Sequence, residues 1–335
     1  MAFSSSRRRS ILVVVAALVV GLAIADLAFR GYVTFVRHHM PVVPSKVGRF
    51  DANLGWSLEP GSRTVSYRIG EIEYRVNSKG LRDDEHAYEK PAGKTRIVIV
   101  GDSMTFGFGV PIEKHFTRLL EGYCKNTEVI NLGVSGFGVD QELLFLQGEG
   151  MKYEPDLVIA YVAHYGNNRH MHTSRFGREK PKFKLTDKLV LTNHPVPPPQ
   201  SENIAAMLFR LVEGIPRLFS EGGQPVDNRT DREKDHADRR DPQFRAELNR
   251  LGQAIVHEMK RTANSANAEF LLITPVRQLA DYGRQNGFHV LDPEEALQNR
   301  MYRLPEGLGH LNEAGNGVLA WEITKAIRRL RLLEC

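Results

Sequence analysis

Residues 95–107 read TRIVIVGDSMTFG, and this stretch decides the fold. Its first six residues, 95–100, read as a strand whose last four form an unbroken apolar, β-branched run, the pattern of a strand covered on both faces in a parallel sheet. The run feeds straight into Gly101-Asp102-Ser103, with another glycine at 107, so the chain is expected to turn sharply there and begin a helix. The same unit recurs downstream. Residues 129–132 form a second short strand, 140–147 (DQELLFLQ) open a helix with an acidic first turn, and 156–162 (DLVIAYV) are a third buried strand. Residues 269–274 (EFLLIT) and 288–291 supply a fourth and a fifth. Strands alternating with helices predict an α/β domain of three layers with a mostly parallel sheet, whose ligands bind beyond the carboxyl ends of the strands.

The whole chain has 335 residues, 41% hydrophobic and 25% charged, enough for one large globular domain with or without a small appendage and unlike a disordered chain. The formal charge of +5 comes from 45 Lys and Arg against 40 Asp and Glu spread along the sequence. No aromatic and basic interleaving accompanies it, so no nucleic-acid partner is expected. Cys124 and Cys335 make no disulfide framework. Cys124 is expected as a small buried side chain, and Cys335 in a loose tail. His164, His170 and His172 lie close together but match no metal-ligand spacing. No metal and no cofactor are expected, and His170 is expected to line the pocket.

Arg7, Arg8 and Arg9 precede fifteen uncharged residues, 11–25 (ILVVVAALVVGLAIA). That length falls between a signal-peptide core and a spanning helix, and 23–25 also offer a small-x-small cleavage site. The favoured reading is an uncleaved membrane anchor over 11–36, with residues 1–10 in the cytoplasm and the remainder outside it, at the cell surface or in a periplasm. Residues 41–92 are expected as a linker, rich in Pro and Gly to residue 60, followed by a small β segment. Within it, 63–77 alternate around Gly70 as a hairpin. The main domain then spans 93–335. Residues 171–240 break its pattern and read as an insertion, a partial lid with an amphipathic helix over 204–219 and a solvated charge run over 227–241.

Four separated pieces carry chemistry. A serine is a nucleophile only on a rigid support, beside a base, with donors aimed at the oxyanion that forms. Gly101-Asp102-Ser103 places Ser103 at a strand end and a helix start. Residues 131–138 (NLGVSGFG) follow the second strand, and their glycines let the Gly136 N–H approach the same point. Tyr165-Gly166-Asn167-Asn168 follow the third strand and offer an amide donor. Gly309-His310-Leu311-Asn312 precede a strong terminal helix, where an imidazole is able to reach back over the sheet edge. Taken singly, each is equally an ordinary turn or cap. Their order places all four on one edge of one sheet.

These motifs resemble those of the SGNH/GDSL hydrolases over roughly residues 95–325, and residues 53–80 resemble the leader of that family's membrane-anchored branch. The resemblance implies a flavodoxin-like SGNH fold carrying an N-terminal transmembrane helix and a small β appendage. It implies Ser103 as nucleophile, His310 as general base, and the N–H groups of Ser103 and Gly136 with the Asn168 side chain as the oxyanion hole. Asn167 is the alternative donor, because the third block here runs Gly166-Asn167-Asn168-Arg169 where the family commonly has Gly-x-Asn-Asp. The family's acidic residue three positions before the histidine is replaced by Gly307, which leaves Glu306, or a backbone carbonyl, to orient His310. The implied reaction is acyl transfer on an ester-bearing glycan or lipid, with an O-acetyl group the favoured acyl. An O-acyltransferase acting on an envelope polysaccharide, or a catalytically weak domain that binds glycan, are the alternatives.

Overall fold

The computed structural model describes residues 13, 20–30, 48–66, 71–163, 165, 168–175, 177–199, 241–305 and 309–335. The chain divides into two compact units, Met1–Ser45 and Lys46–Cys335. In the first, residues 20–30 are helical, Asp26 and Arg30 pair at 2.7 Å, and Val20, Leu22, Ile24, Leu27 and Phe29 are exposed. Eleven helical residues span roughly 16 Å, about half the hydrocarbon thickness of a bilayer. Among the described residues no helix is long and apolar enough to cross a membrane, so the spanning helix expected over 11–36 is not found there. The rest of that segment lies outside the described residues.

The second unit opens with two antiparallel hairpins, β1 (Gly48–Asp51) with β2 (Gly55–Leu58) and β3 (Arg63–Ser66) with β4 (Ile72–Arg75). The second is the one the alternation predicts. The first replaces the expected linker, because Trp56 and Leu58 are apolar enough to bury fully despite the surrounding Pro and Gly.

The central sheet contains β5 (Thr95–Gly101), β6 (Thr127–Gly133) and β7 (Leu157–Tyr161). Between it and the later strands come two small hairpins, β8 (Ser174–Arg175) with β9 (Arg178–Glu179) and β10 (Lys182–Leu185) with β11 (Leu189–Thr192). These form the described part of the expected insertion. Its predicted helix over 204–219 lies outside the described residues, as does the charge run up to residue 240. Strands β12 (Glu269–Ile273) and β13 (His289–Leu291) complete a five-stranded, wholly parallel sheet of order β13-β12-β7-β5-β6. Counted along this sheet alone, that is the doubly wound order 2-1-3-4-5, whose direction of winding reverses between β5 and β7.

Seven α-helices are described in this unit: α1 (Ser103–Phe106), α2 (Phe116–Tyr123), α3 (Val139–Gly148), α4 (Pro242–Ser265), α5 (Arg277–Gln285), α6 (Glu294–Leu297) and α7 (Glu313–Leu330). They cover both sheet faces, and the alternation along each strand sets which face each residue fills. Ile97, Ile99, Leu157, Ile159 and Leu271 pack with Phe116 and Leu120 of α2 and Leu319, Ile323 and Ile327 of α7. On the opposite face Val98, Leu132 and Leu146 of α3 close around Gly150, and Leu272 and Val290 close around Gly283 of α5. Burial on both sides is the physical reason for the unbroken apolar run in β5.

Cys124 is buried as expected, but it forms a disulfide with Cys335 that closes 211 residues of sequence separation, contrary to the expected loose tail. After α7 the chain turns Leu332 back into the cluster that holds Cys124, and this return brings the last residue to the end of α2.

Candidate active site

Ser103 is the first residue of α1, directly after β5. Asp102 starts that helix: its Oδ1 accepts the Met104 N–H at 2.9 Å, satisfying a donor that the first turn leaves open. Helix α1 lies tight against the end of β6. A Cβ at position 133 would sit 2.1 Å from the Phe106 nitrogen, so only Gly133 lets the two meet. Arg82 fixes the turn beyond α1, donating to the carbonyls of Phe106 (2.8 Å), Gly107 (2.5 Å) and Val110 (2.7 Å) while its guanidinium lies 4.3 Å over the Tyr74 ring. Burial lowers the Arg82 pKa to about 10, which leaves it charged at neutral pH.

His310 comes from the other end of the chain. Asn312 caps α7 by accepting the Gly315 N–H at 3.0 Å, and its own amide donates to the Met301 carbonyl at 2.6 Å, which ties the helix entrance to the preceding turn. The His310 carbonyl accepts from Leu304 N at 2.8 Å, and the ring packs 4.9 Å from that of Phe108. Its Nε2 lies 2.7 Å from Ser103 Oγ, across 207 residues of sequence. In the tautomer with Nε2 unprotonated, the serine hydroxyl donates and the imidazole is in place to take its proton.

The two loops expected to supply oxyanion donors follow β6 and β7, the strands on either side of β5. Gly136 has φ of +87°, a conformation that favours glycine, and its neighbours are held by Trp56 from the first hairpin. The indole N–H donates to the Ser135 carbonyl at 3.2 Å, and the indole meets Phe137 edge-on at 5.7 Å. Asn168 is buried with φ of +45°, and its carbonyl accepts from Met171 N at 2.8 Å. Ser103, Gly136, Asn168 and His310 thus all follow sheet strands or precede α7. Asn167, Glu306 and His164 lie outside the described residues. His170, expected to line the pocket, is buried against the ring of Tyr165, 5.2 Å away, with Nε2 3.0 Å from the Leu248 carbonyl of α4; burial lowers its pKa to about 4.

Beside the loops lies a buried charged cluster that no local sequence pattern signals. Arg169 pairs with Asp102, Lys180 pairs with Asp140, and Glu142 of α3 is buried nearby. Burial first, then the Asp102 charge, raises the Glu142 pKa well above 4.5, with Asp140 adding to the shift and Arg169 opposing it. A raised carboxyl pKa means that the folded chain keeps a proton the unfolded chain has released. Folding stability therefore falls as pH climbs from about 4.5 toward the raised value. We expect Glu142→Gln, which fixes the neutral form, to gain stability relative to wild type as urea denaturation is repeated from pH 5 to pH 8. Parallel wild-type and variant curves would show that Glu142 is ionised in the fold.

No protein-family model and no curated protein matches the chain by sequence. Among solved structures it is similar to TesA, at 14% identity over 71% of this chain and 100% of that one, with a TM-score of 0.42. It is also similar to the lipase/acylhydrolase from Enterococcus faecalis, at 16% identity over 72% and 98% of the two chains, with a TM-score of 0.39. A catalytic mutant of Axe2, an acetylxylan esterase from Geobacillus stearothermophilus, matches at 12% identity over 71% and 96%, again with a TM-score of 0.39. Likeness at this level carries no inference about chemistry, which rests on the residues around Ser103.

Proposed function

We propose that the chain is an ester hydrolase of the SGNH/GDSL type, working through an acyl-serine intermediate on Ser103. The observation that carries this reading is the 2.7 Å contact between Ser103 Oγ and His310 Nε2 at the carboxyl edge of a doubly wound sheet. His310 takes the hydroxyl proton as Oγ attacks the ester carbonyl, and the N–H groups of Ser103 and Gly136 with the Asn168 amide receive the oxyanion. The C–O bond to the alcohol then breaks, and His310 returns the proton to the departing oxygen. Water, activated by the same imidazole, releases the acyl group and restores the serine. A glycan-binding role alone would not require a hydroxyl and an imidazole held at hydrogen-bond distance.

The substrate in this reading is an ester, favoured as O-acetyl, on a glycan or lipid outside the cytoplasm. Arg7, Arg8 and Arg9 ahead of the apolar stretch support that location, as does the Cys124–Cys335 disulfide, a bond that persists in oxidising compartments. The purified full chain is expected to hydrolyse p-nitrophenyl acetate with saturation. Spheroplasts producing it should cleave a charged acetyl ester that cannot enter them. Hydrolysis by the purified chain at the buffer rate would overturn the esterase reading, and cleavage that appears only after lysis would overturn the location.

A further inference from the structure

The geometry points to Arg169 as a positioning residue that ties together the three loops bearing the oxyanion donors. This rests on the reading of Ser103 and His310 given above. One guanidinium nitrogen, Nη1, donates to Asp102 Oδ2 at 2.7 Å and to the Phe137 carbonyl at 2.8 Å. Asp102 directly precedes Ser103, Phe137 directly follows Gly136, and Arg169 directly follows Asn168. These residues come from the loops after β5, β6 and β7, which are neighbours in the sheet with β5 in the middle. A single cation therefore fixes the backbone on either side of the nucleophile.

The tie adds to short-range turns. Gly136 and Asn168 both have left-handed backbone conformations, and Asn168 is held locally by i,i+3 bonds, its N–H to the Tyr165 carbonyl and its carbonyl from Met171 N, which do not reach the neighbouring loops. Packing is close as well: a Cβ on Gly138 would lie 3.0 Å from Arg169 Cβ, which brings the second loop directly onto the arginine stem. A buried ion pair is poor evidence of stabilisation on its own, because desolvation offsets much of the attraction. Here both acceptors adjoin donor positions, and a shift of about 1 Å in such a site is worth about 100-fold in rate. Glu142 fits the same arrangement. Burial pushes its carboxyl toward the neutral form, beside the Asp102–Arg169 and Asp140–Lys180 pairs.

The test uses the full chain, p-nitrophenyl acetate and active-site titration with a fluorophosphonate, so that every rate refers to folded sites. Arg169→Ala is expected to lower kcat about 100-fold while KM changes little. Millimolar guanidinium ion, but not ammonium, should restore a large part of the loss, and Arg169→Lys should fall between wild type and Ala. Asp102→Asn removes the anionic acceptor while its side-chain oxygen still caps α1. It should show the same kcat loss, and the double variant Asp102→Asn/Arg169→Ala should be no slower than the slower single. A kcat per titrated site unchanged in Arg169→Ala, a loss confined to KM, or a loss that neither guanidinium nor lysine relieves would overturn the assignment. Hydrolysis that survives Ser103→Ala would instead sink the reading of the site itself.

Discussion

Replacing Ser103 with alanine is expected to lower kcat for p-nitrophenyl acetate by about 10⁴- to 10⁶-fold, the loss seen when a covalent nucleophile is removed from a serine–histidine pair. The fold should tolerate the change. Asp102, not Ser103, caps α1, and the Ser103 hydroxyl gives up one hydrogen bond, to His310, worth about 1 kcal/mol. The variant should therefore melt within a few degrees of wild type, and its residual rate reports what the remaining donors and binding supply. A Ser103→Ala variant that keeps a tenth of the wild-type kcat would mean that hydrolysis takes place elsewhere.

His310→Gln is expected to cost a similar factor, about 10⁴- to 10⁶-fold. Glutamine keeps a polar side chain in the space beside Phe108 but has no nitrogen able to take a proton from Ser103. Because hydroxyl and imidazole act as a unit, their effects should not add: the double variant is expected to be as slow as the slower single, within about threefold. Losses that multiply would show that the two residues contribute independently, and the 2.7 Å contact would then have no catalytic meaning.

The sheet was legible because its signal is local. Residues 97–100 of β5 are all apolar since alternate residues, Ile97 and Val98 for example, fill opposite faces. The bounds expected for the later strands agree with the structure to within a residue or two. The placement of the candidate site residues was legible for a related reason: Ser103, Gly136, Asn168 and His310 all stand where a strand ends or a helix begins, and such junctions of a parallel sheet fall on one edge.

What escaped the reading depends on partners distant in sequence. Arg169 stood out only as a departure from an expected acid; its meaning comes from Asp102, 67 residues away, and Phe137, 32 away. Trp56 lies in a stretch whose Pro and Gly suggested a linker, yet its indole reaches Ser135, 79 residues on. The disulfide was missed because nothing near Cys335 in sequence records that the chain turns back to α2 after its last helix. In each case the deciding contact is tertiary, and local propensity does not encode it.

The proposed chemistry depends first on Ser103 being the nucleophile. The most direct measurement is intact-mass analysis of the full chain after reaction with a fluorophosphonate, followed by mapping of the modified peptide. One adduct per chain on Ser103, absent from Ser103→Ala and slowed at least a hundredfold in His310→Gln, is the expected result. An adduct on any other residue, or undiminished labelling of Ser103→Ala, would contradict it.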